Sequence, residues 1–397
     1  MYENLAVMAV FIMIYSMAAG WVEQRPLSGP IIFLCFGLAM GPLGLDLLRA
    51  DVSAKMLRTL AELCLALVLF SDAGSANLRV LRKSSGLTTR LLLIGLPLTI
   101  GLGFLAGMWL FPHMHLLQVA LLAVILAPTD ASLGAQVITN PAVPDRLREA
   151  LNAESGLNDG ICVPVLYLFL TLAVGTEVMH RPVGFALSLF AEEIGIGLLA
   201  GLVVTALGVW VWGLANRRGW VEEAWFQMPV PAMAVAAFSV AQALGGSGFI
   251  AAFAGGILFD SLIQHRKQEL MEAAEGIGNT LGLITWVIFG FAVVGQALPV
   301  FSWPMLVYAV LSLTLIRMLP VYLVLAGTGE SPASKLFLGW FGPRGMASIV
   351  FIILVLEAKL PGARDLAMTV VCTIILSVIA HGLSAFPLAN ALGRREK

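Results

Sequence analysis

Charge is what this sequence lacks. Only 12% of its 397 residues are Asp, Glu, Lys or Arg, half the ~25% typical of soluble globular chains. So few charges cannot cover a water-soluble surface, although the length alone would suit two or three soluble domains. The net charge is −1, so no basic field is offered to nucleic acid, and no nucleic-acid partner is expected. Polar repeats are missing too, which excludes disorder, collagen and coiled coil. Cysteine is scarce: Cys35, Cys64, Cys162 and Cys372 each sit in an apolar run, with no CxxC or Cys/His partner. They read as small buried hydrophobes rather than metal ligands or disulfides. The start, MYENLAVMAVFIMIYSMAAG, has no basic n-region, so a first spanning helix is expected rather than a cleaved signal peptide. P-loop, HExxH, GxSxG and strand-borne GxGxxG motifs are absent, and no enzyme activity or cofactor is expected.

What is present is apolar. Hydrophobic residues make up 59% of the chain, with a mean hydropathy of +0.93. A spanning helix needs about 20 mostly apolar residues, fewer when broken or packed in a bundle. Thirteen segments qualify: 4–20, 28–41, 57–72, 87–111, 116–139, 151–174, 183–213, 225–243, 247–261, 274–298, 303–327, 333–357 and 366–391. The fold class is an all-α membrane protein of about 13 transmembrane helices, one domain over 1–397, with only short loops between spans. Loop charges set the orientation. With the N-terminus outside, Arg25, Arg79, Arg82, Lys83, Arg90, Arg146, Arg148, Arg217, Arg218, Arg266, Lys267, Lys335, Arg394, Arg395 and Lys397 face the cytoplasm. Arg49, Lys55, Arg58, Arg181, Lys359 and Arg364 face out. The excess inside predicts N-out and C-in.

Two spans carry helix breakers beside polar residues at mid-depth. The fifth is interrupted at Ala127-Pro128-Thr129-Asp130, the twelfth at Gly342-Pro343-Arg344-Gly345. A simple proline kink accounts for neither the Asp in one break nor the Arg in the other. Non-helical backbone at membrane depth is tolerated only where it lines a cavity or is buried in protein. Spans five and twelve lie seven apart and so cross in opposite directions. That suits inverted repeats of spans 1–6 and 8–13, with a binding site where the discontinuous helices meet. Asp130 can offset positive half-helix ends, and Arg344 negative ones.

The sixth span, LNAESGLNDGICVPVLYLFLTLAV, crowds Glu154, Ser155, Asn158 and Asp159 into its first half. Asp159 lies roughly 12 Å into it. Ser155 and Asp159 share one face, Glu154 and Asn158 the next. A carboxylate at this depth marks an ion or proton path, and oxygen ligands suit hard monovalent cations. A carboxyl that holds either a proton or a cation, never both, meets the physical requirement for an exchanger. The bland alternative makes Asp159 a structural acid paired with Arg344.

Other polar residues read less sharply. Asp72 either lines a cytoplasmic entry funnel or caps its helix; Glu62 is an outer-funnel or a packing residue. Arg317 needs an acid or half-helix carbonyls as partner. Glu193 and Asp260 read as interface or scaffold acids, Asn279 as a helix-packing polar residue, and His381 as a packed neutral histidine.

Taken together, APTD at 127–130, ESGLND at 154–159 and FGPRG at 341–345 resemble the NhaP-like sodium/proton antiporters of the monovalent cation/proton antiporter superfamily, relatives of the animal sodium/proton exchangers. GPLGLDLL at 41–48, LALVLFSDA at 65–73 and GFIAAFAGGILFD at 248–260 fit the same pattern. The resemblance covers essentially the whole chain. It implies a thirteen-helix homodimer whose core bundle moves against a dimerisation bundle. It makes Asp159 the residue at which cation and proton compete, and Thr129, Asp130 and Ser155 the residues that complete a Na⁺ site with it. Asn158 matches the Asn that sets ND exchangers apart from the generally electrogenic DD relatives. Glu154 and Arg344 match a structural ion pair, and Asp72 falls where the family often has an acid near the site. The chain departs from the common PTDP form, with Ala131 after Asp130. It is expected to lack the regulatory tail of the animal exchangers.

The expected function is therefore secondary antiport of Na⁺ for H⁺ across the cell (inner) membrane by alternating access, electroneutral at 1:1, in the service of pH homeostasis. Transported Na⁺, K⁺ or Li⁺, protons and the lipid bilayer are the expected partners. K⁺/H⁺ exchange is the nearest rival, followed by sodium-coupled uptake of an organic anion. A non-transporting membrane sensor and an intramembrane aspartyl protease fit worse, since Asp159 stands in LNDG rather than a GxGD context.

Overall fold

In the computed structural model, residues 2–23, 28–48, 54–75, 86–130, 133–175, 183–263 and 266–395 are described. Among them all regular structure is helical, as required where no water is available to satisfy backbone groups. The helices are α1 (Tyr2–Glu23), α2 (Gly29–Met40), α3 (Ala54–Ser75), α4 (Leu87–Leu110), α5 (Leu116–Ile125), α6 (Ala135–Ile138), α7 (Asp145–Ala173) and α8 (Val183–Arg217). They continue with α9 (Pro229–Ala243), α10 (Gly248–Leu262), α11 (Lys267–Ile288), α12 (Trp303–Leu313), α13 (Leu315–Val324), α14 (Pro332–Trp340), α15 (Met346–Glu357) and α16 (Ala363–Arg395). Two π-helical turns, Leu91–Gly95 within α4 and Phe289–Val294 after α11, keep their helices running. Among the described residues, eight helical stretches are long and apolar enough to cross a bilayer, and α2, α5, α10 and α15 are shorter apolar helices. Arg25, Arg49, Arg79, Arg82, Lys83, Ala131, His180, Arg181, His265 and Lys397 lie outside the described residues, as does the Lys55 side chain.

Packing follows the solvent. Met13, Ile14 and Met17 of α1 and Leu199, Val203 and Leu207 of α8 are exposed, which lipid tolerates and water does not. Trp109, Trp220, Trp225 and Trp303, also exposed, stand at helix ends or in the α8–α9 connection, where amphipathic rings favour the membrane interface. Cys64, Cys162 and Cys372 are buried, but Cys35 is exposed. A small apolar residue suits a lipid-facing position as well as a core one.

Two helices differ from the sequence reading. The 303–327 span is two helices: Thr314, at φ −114° and ψ −96°, separates α12 from α13. The 151–174 span begins earlier, at Asp145 after Pro144, because DRLREA is charged but built of good helix formers. Asp159 consequently lies midway along a 29-residue helix. In the 116–139 span the described helices are Leu116–Ile125 and Ala135–Ile138, on either side of the segment that holds Pro128.

Candidate cation site between two interrupted helices

Pro128 and Pro343 withhold backbone donors and disfavour helical geometry in the residues before them. Residues 126–130 and 341–345 are accordingly non-helical. The two segments lie against one another, with Asp130 N donating to Pro343 O at 2.8 Å. Each break supplies the charge the other needs. Arg344 Nη1 donates to Ala127 O and Pro128 O at 2.9 and 3.0 Å, and Ser348 Oγ donates to Ile125 O at 2.7 Å. The negative, carbonyl end of α5 is thus covered by a cation and a hydroxyl. In return Asp130 Oδ2 accepts the Met346 amide, the first of α15, at 2.7 Å, while Oδ1 accepts Leu133 N at 3.4 Å.

Gly345 occupies the N-cap position of α15 and has no side chain, so Asp130 supplies the capping oxygen from another segment. A Cβ on Gly345 would run into the Asp130 carboxylate. Gly345→Ala should therefore destabilise the protein by about 1–3 kcal/mol through overpacking, read as a lower unfolding midpoint in detergent. An unchanged midpoint would mean that Asp130 is free to move aside.

Helix α7 brings its polar face to the first break. Ser155 Oγ donates to Thr129 O, and Thr129 Oγ1 lies 3.3 Å from Ser155 Oγ. Asn158 Nδ2 donates to Thr129 Oγ1 at 2.7 Å, and Asn158 Oδ1 accepts Thr129 N at 3.3 Å. Thr129, Ser155 and Asn158 form one hydrogen-bonded cluster that fixes the first break on α7. Asp159, one residue on, is 7% exposed, and its Oδ1 has no hydrogen-bond partner among the described residues. Asp72, half-buried on α3, faces Gly156, where a Cβ would sit 3.1 Å from the Asp72 Cβ. A small cavity beside the cluster is lined by Asp130, Gly134, Val137, Ile138, Leu151, Ser155, Phe341 and Pro343.

The expected Glu154–Arg344 ion pair is replaced by another. Glu154 pairs with Arg317, Nη1 to Oε1 at 2.6 Å and Nη2 to Oε2 at 2.7 Å, with both side chains 1% exposed. Arg344 is committed to the α5 carbonyls instead. Arg317 reaches Glu154 past Gly342, where a Cβ would lie 2.6 Å from Arg317 Nε. The first glycine of FGPRG therefore makes room for the guanidinium of a different helix. An arginine in the otherwise apolar LSLTLIRMLP is the signal that could have identified this partner.

The remaining polar residues are structural or peripheral. Glu62 accepts from Arg58 at 2.6 Å, and Arg58 also pairs with Glu357, tying α3 to the end of α15. Asp260 pairs with Lys267 at 2.6 Å. Glu193 is half-buried, and its carbonyl accepts Ser247 N at 3.1 Å. Asn279, expected to pack between helices, is exposed on α11: the flanking glycines at 276 and 278 and a charged first turn leave that face polar.

Among the described residues the regular structure is all helical, several helices are long and apolar enough to cross a bilayer, and the two non-helical segments meet at a buried carboxylate; this defines a multi-pass membrane protein. The chain belongs to the transmembrane sodium/hydrogen exchanger family, whose description matches residues 7–391. It is 24% identical over 357 residues to the K(+)/H(+) antiporter NhaP2 of Shewanella sp. (strain ANA-3), a match covering 89% of this chain and 61% of that protein. The chain thus spans about three-fifths of the length of that curated relative. It is also 24% identical over 395 residues to the K(+)/H(+) antiporter NhaP of Alkalimonas amylolytica, covering 98% of this chain and 67% of that one. Its fold is similar to that of the sodium proton antiporter MjNhaP1 from Methanocaldococcus jannaschii, with a TM-score of 0.72 at 19% identity, over 99% of this chain and 97% of that one.

Proposed function

We propose that the protein is a secondary antiporter exchanging Na⁺ for H⁺ across the cell membrane, electroneutral at 1:1. The observation that carries this reading is Asp159: a mid-helix carboxylate with a buried, unbonded oxygen, beside two helix breaks whose own charges are already matched. A carboxylate in that setting binds either a proton or a cation. Asp159 releases its proton to one side and takes Na⁺, with Thr129, Asp130 and Ser155 supplying further oxygens. The core then shifts, the ion leaves on the other side, and a proton replaces it. Asn158 is neutral and engaged with Thr129, so one charge changes hands per cycle. Asp72, across Gly156, lies on the route between Asp159 and one membrane face.

The same reading comprises thirteen spans in two inverted repeats with the fifth and twelfth discontinuous, an N-out/C-in orientation, a homodimer, and a part in pH homeostasis. With that orientation the Leu151 wall of the cavity beside Asp130 lies on the cytoplasmic side of Ser155. K⁺/H⁺ exchange is the second reading, favoured by the activity named for the NhaP2 and NhaP relatives.

Proteoliposomes containing a trapped pH dye and challenged with Na⁺, K⁺ or Li⁺ test both. Na⁺-driven proton movement is expected; a response to K⁺ alone favours the second reading, and no movement with any cation sinks both. An imposed membrane potential should leave the rate unchanged, and a several-fold response would contradict 1:1 exchange.

A further inference from the structure

The break between α14 and α15 removes a backbone hydrogen bond. In a continuous helix, Trp340 O would accept the amide of Arg344, four residues on. Here those two groups have separated: Trp340 O accepts Gly342 N at 2.8 Å instead, and each of the two also meets the same face of α16. Arg344 N donates to Ser377 Oγ at 2.7 Å. His381 Nε2 lies 2.8 Å from Trp340 O, and the two side chains meet each other, Ser377 Oγ to His381 Nδ1 at 3.1 Å. One turn further on, Trp340 Nε1 donates to Ser384 Oγ at 2.8 Å. All of Ser377, His381 and Arg344 are buried, at 0–1% exposure.

The chemistry of the partners fixes the protons. Trp340 O is a carbonyl and only accepts, so His381 Nε2 carries a hydrogen. Arg344 N only donates, so its hydrogen goes to Ser377 Oγ. The Ser377 hydroxyl hydrogen is then free to go to His381 Nδ1. Nδ1 is also 2.9 Å from Ser377 O, which keeps a second lone pair beside the one taken by the His381 amide within α16, so a ring protonated at Nδ1 as well is the alternative to this arrangement. A charged imidazolium would place a second cation at a break that already holds the Arg344 guanidinium.

We propose that Ser377 and His381 form a side-chain bridge that takes the place of the missing Trp340–Arg344 backbone bond, and that they are positioning residues for the cation site. The bridge runs Arg344 N–H to Ser377 Oγ–H to His381 Nδ1, then Nε2–H to Trp340 O. It holds the ends of the break apart at a fixed spacing. That spacing keeps the Arg344 guanidinium on the α5 carbonyls and the Met346 amide on Asp130, and so keeps Asp159 free of both. Neither residue touches the cation.

The effect on transport rests on the antiporter reading; the bridge itself does not. The bridge is tested by ¹⁵N solid-state NMR of the protein in bilayers, with His113, His115, His180 and His265 replaced by Gln so that His381 reports alone. A neutral ring protonated at Nε2 is expected, with the Nδ1 resonance shifting in Ser377→Ala. A ring protonated at Nδ1, or a charged one at neutral pH, would overturn the bridge. Its role is tested in proteoliposomes by the Na⁺ concentration giving half-maximal exchange. His381→Leu and Ser377→Ala should each raise it by about tenfold, the scale of one hydrogen bond at a ligand site. His381→Gln, whose amide retains one donor and one acceptor, should restore most of the affinity. The double variant should be no worse than His381→Leu alone, since both changes open one bridge. Wild-type half-saturation in the single variants, or strictly additive losses, would overturn the positioning role. Should His381→Leu fail to fold, Ser377→Ala carries the comparison. Wild-type protein that moves protons with no cation defeats the antiporter reading and leaves the NMR result standing on its own.

Discussion

Asp159→Asn should reduce cation-driven proton movement to the level of empty liposomes while leaving the protein at least as stable as the wild type. Both halves follow from one feature. Asp159 Oδ1 is buried and accepts no hydrogen bond among the described residues, so an amide of the same shape forfeits no contact there. It also removes an ionisable group from a place where charge is expensive. The unfolding midpoint in detergent should therefore stay level or rise, by an amount equivalent to about 1–3 kcal/mol. Transport should vanish, because Asn binds no exchangeable proton and offers a cation no full charge. Residual exchange above a few per cent would show that the competing carboxylate is another one, and Asp130→Asn and Asp72→Asn would then be the variants to compare. A loss of folded protein instead would mean that Asp159 is a structural acid. Ser155→Ala is the milder control: it removes a hydroxyl from the Thr129 cluster without touching the charge.

The parts of this arrangement visible in the sequence are those that local chemistry dictates. Pro128 and Pro343 each remove a helix donor, and an Asp beside one and an Arg beside the other are too costly in a membrane to be accidental. Those residues carry the expectation of both breaks, and of Asp130 at a helix N-terminus and Arg344 at a helix C-terminus. Partner choice did not. Two buried arginines and Glu154 admit more than one pairing, and what selects Arg317 is the absence of a side chain at Gly342, a packing fact with no local signature. The interruption at Thr314 was hidden because LSLTLIRML carries no Pro or Gly there and is apolar on both sides. Cys35 and Asn279 were misjudged for a related reason: hydropathy separates membrane from water, but it does not separate lipid-facing from bundle-facing positions. The Ser377–His381 bridge was equally invisible, since its meaning depends on which atoms of a distant break it meets.

Glu154→Gln should be the most destabilising single change near the site. Its partner Arg317 is 1% exposed, and the pair is joined by one hydrogen bond at 2.7 Å and a second charge contact at 2.6 Å. Removing the acid leaves a guanidinium buried without a counter-charge, which costs about 3–5 kcal/mol, more than the intact pair contributes relative to apolar residues. The expected sign of the double variant follows. Glu154→Gln with Arg317→Met removes both charges, and it should recover much of the loss seen in Glu154→Gln alone. Unfolding midpoints of the four proteins in one detergent form the cycle, with a coupling of at least 1 kcal/mol expected for residues in direct contact. Additive losses would mean that Glu154 is held chiefly by something other than Arg317. Had Arg344 been the partner, the rescue would appear with Arg344→Met instead. That change should in fact fail to rescue, because it uncovers the Ala127 and Pro128 carbonyls and leaves Arg317 still unpaired. The contrast between the two arginines thus separates a charge that holds α7 to α13 from one that closes the end of α5, although both lie buried beside the same break.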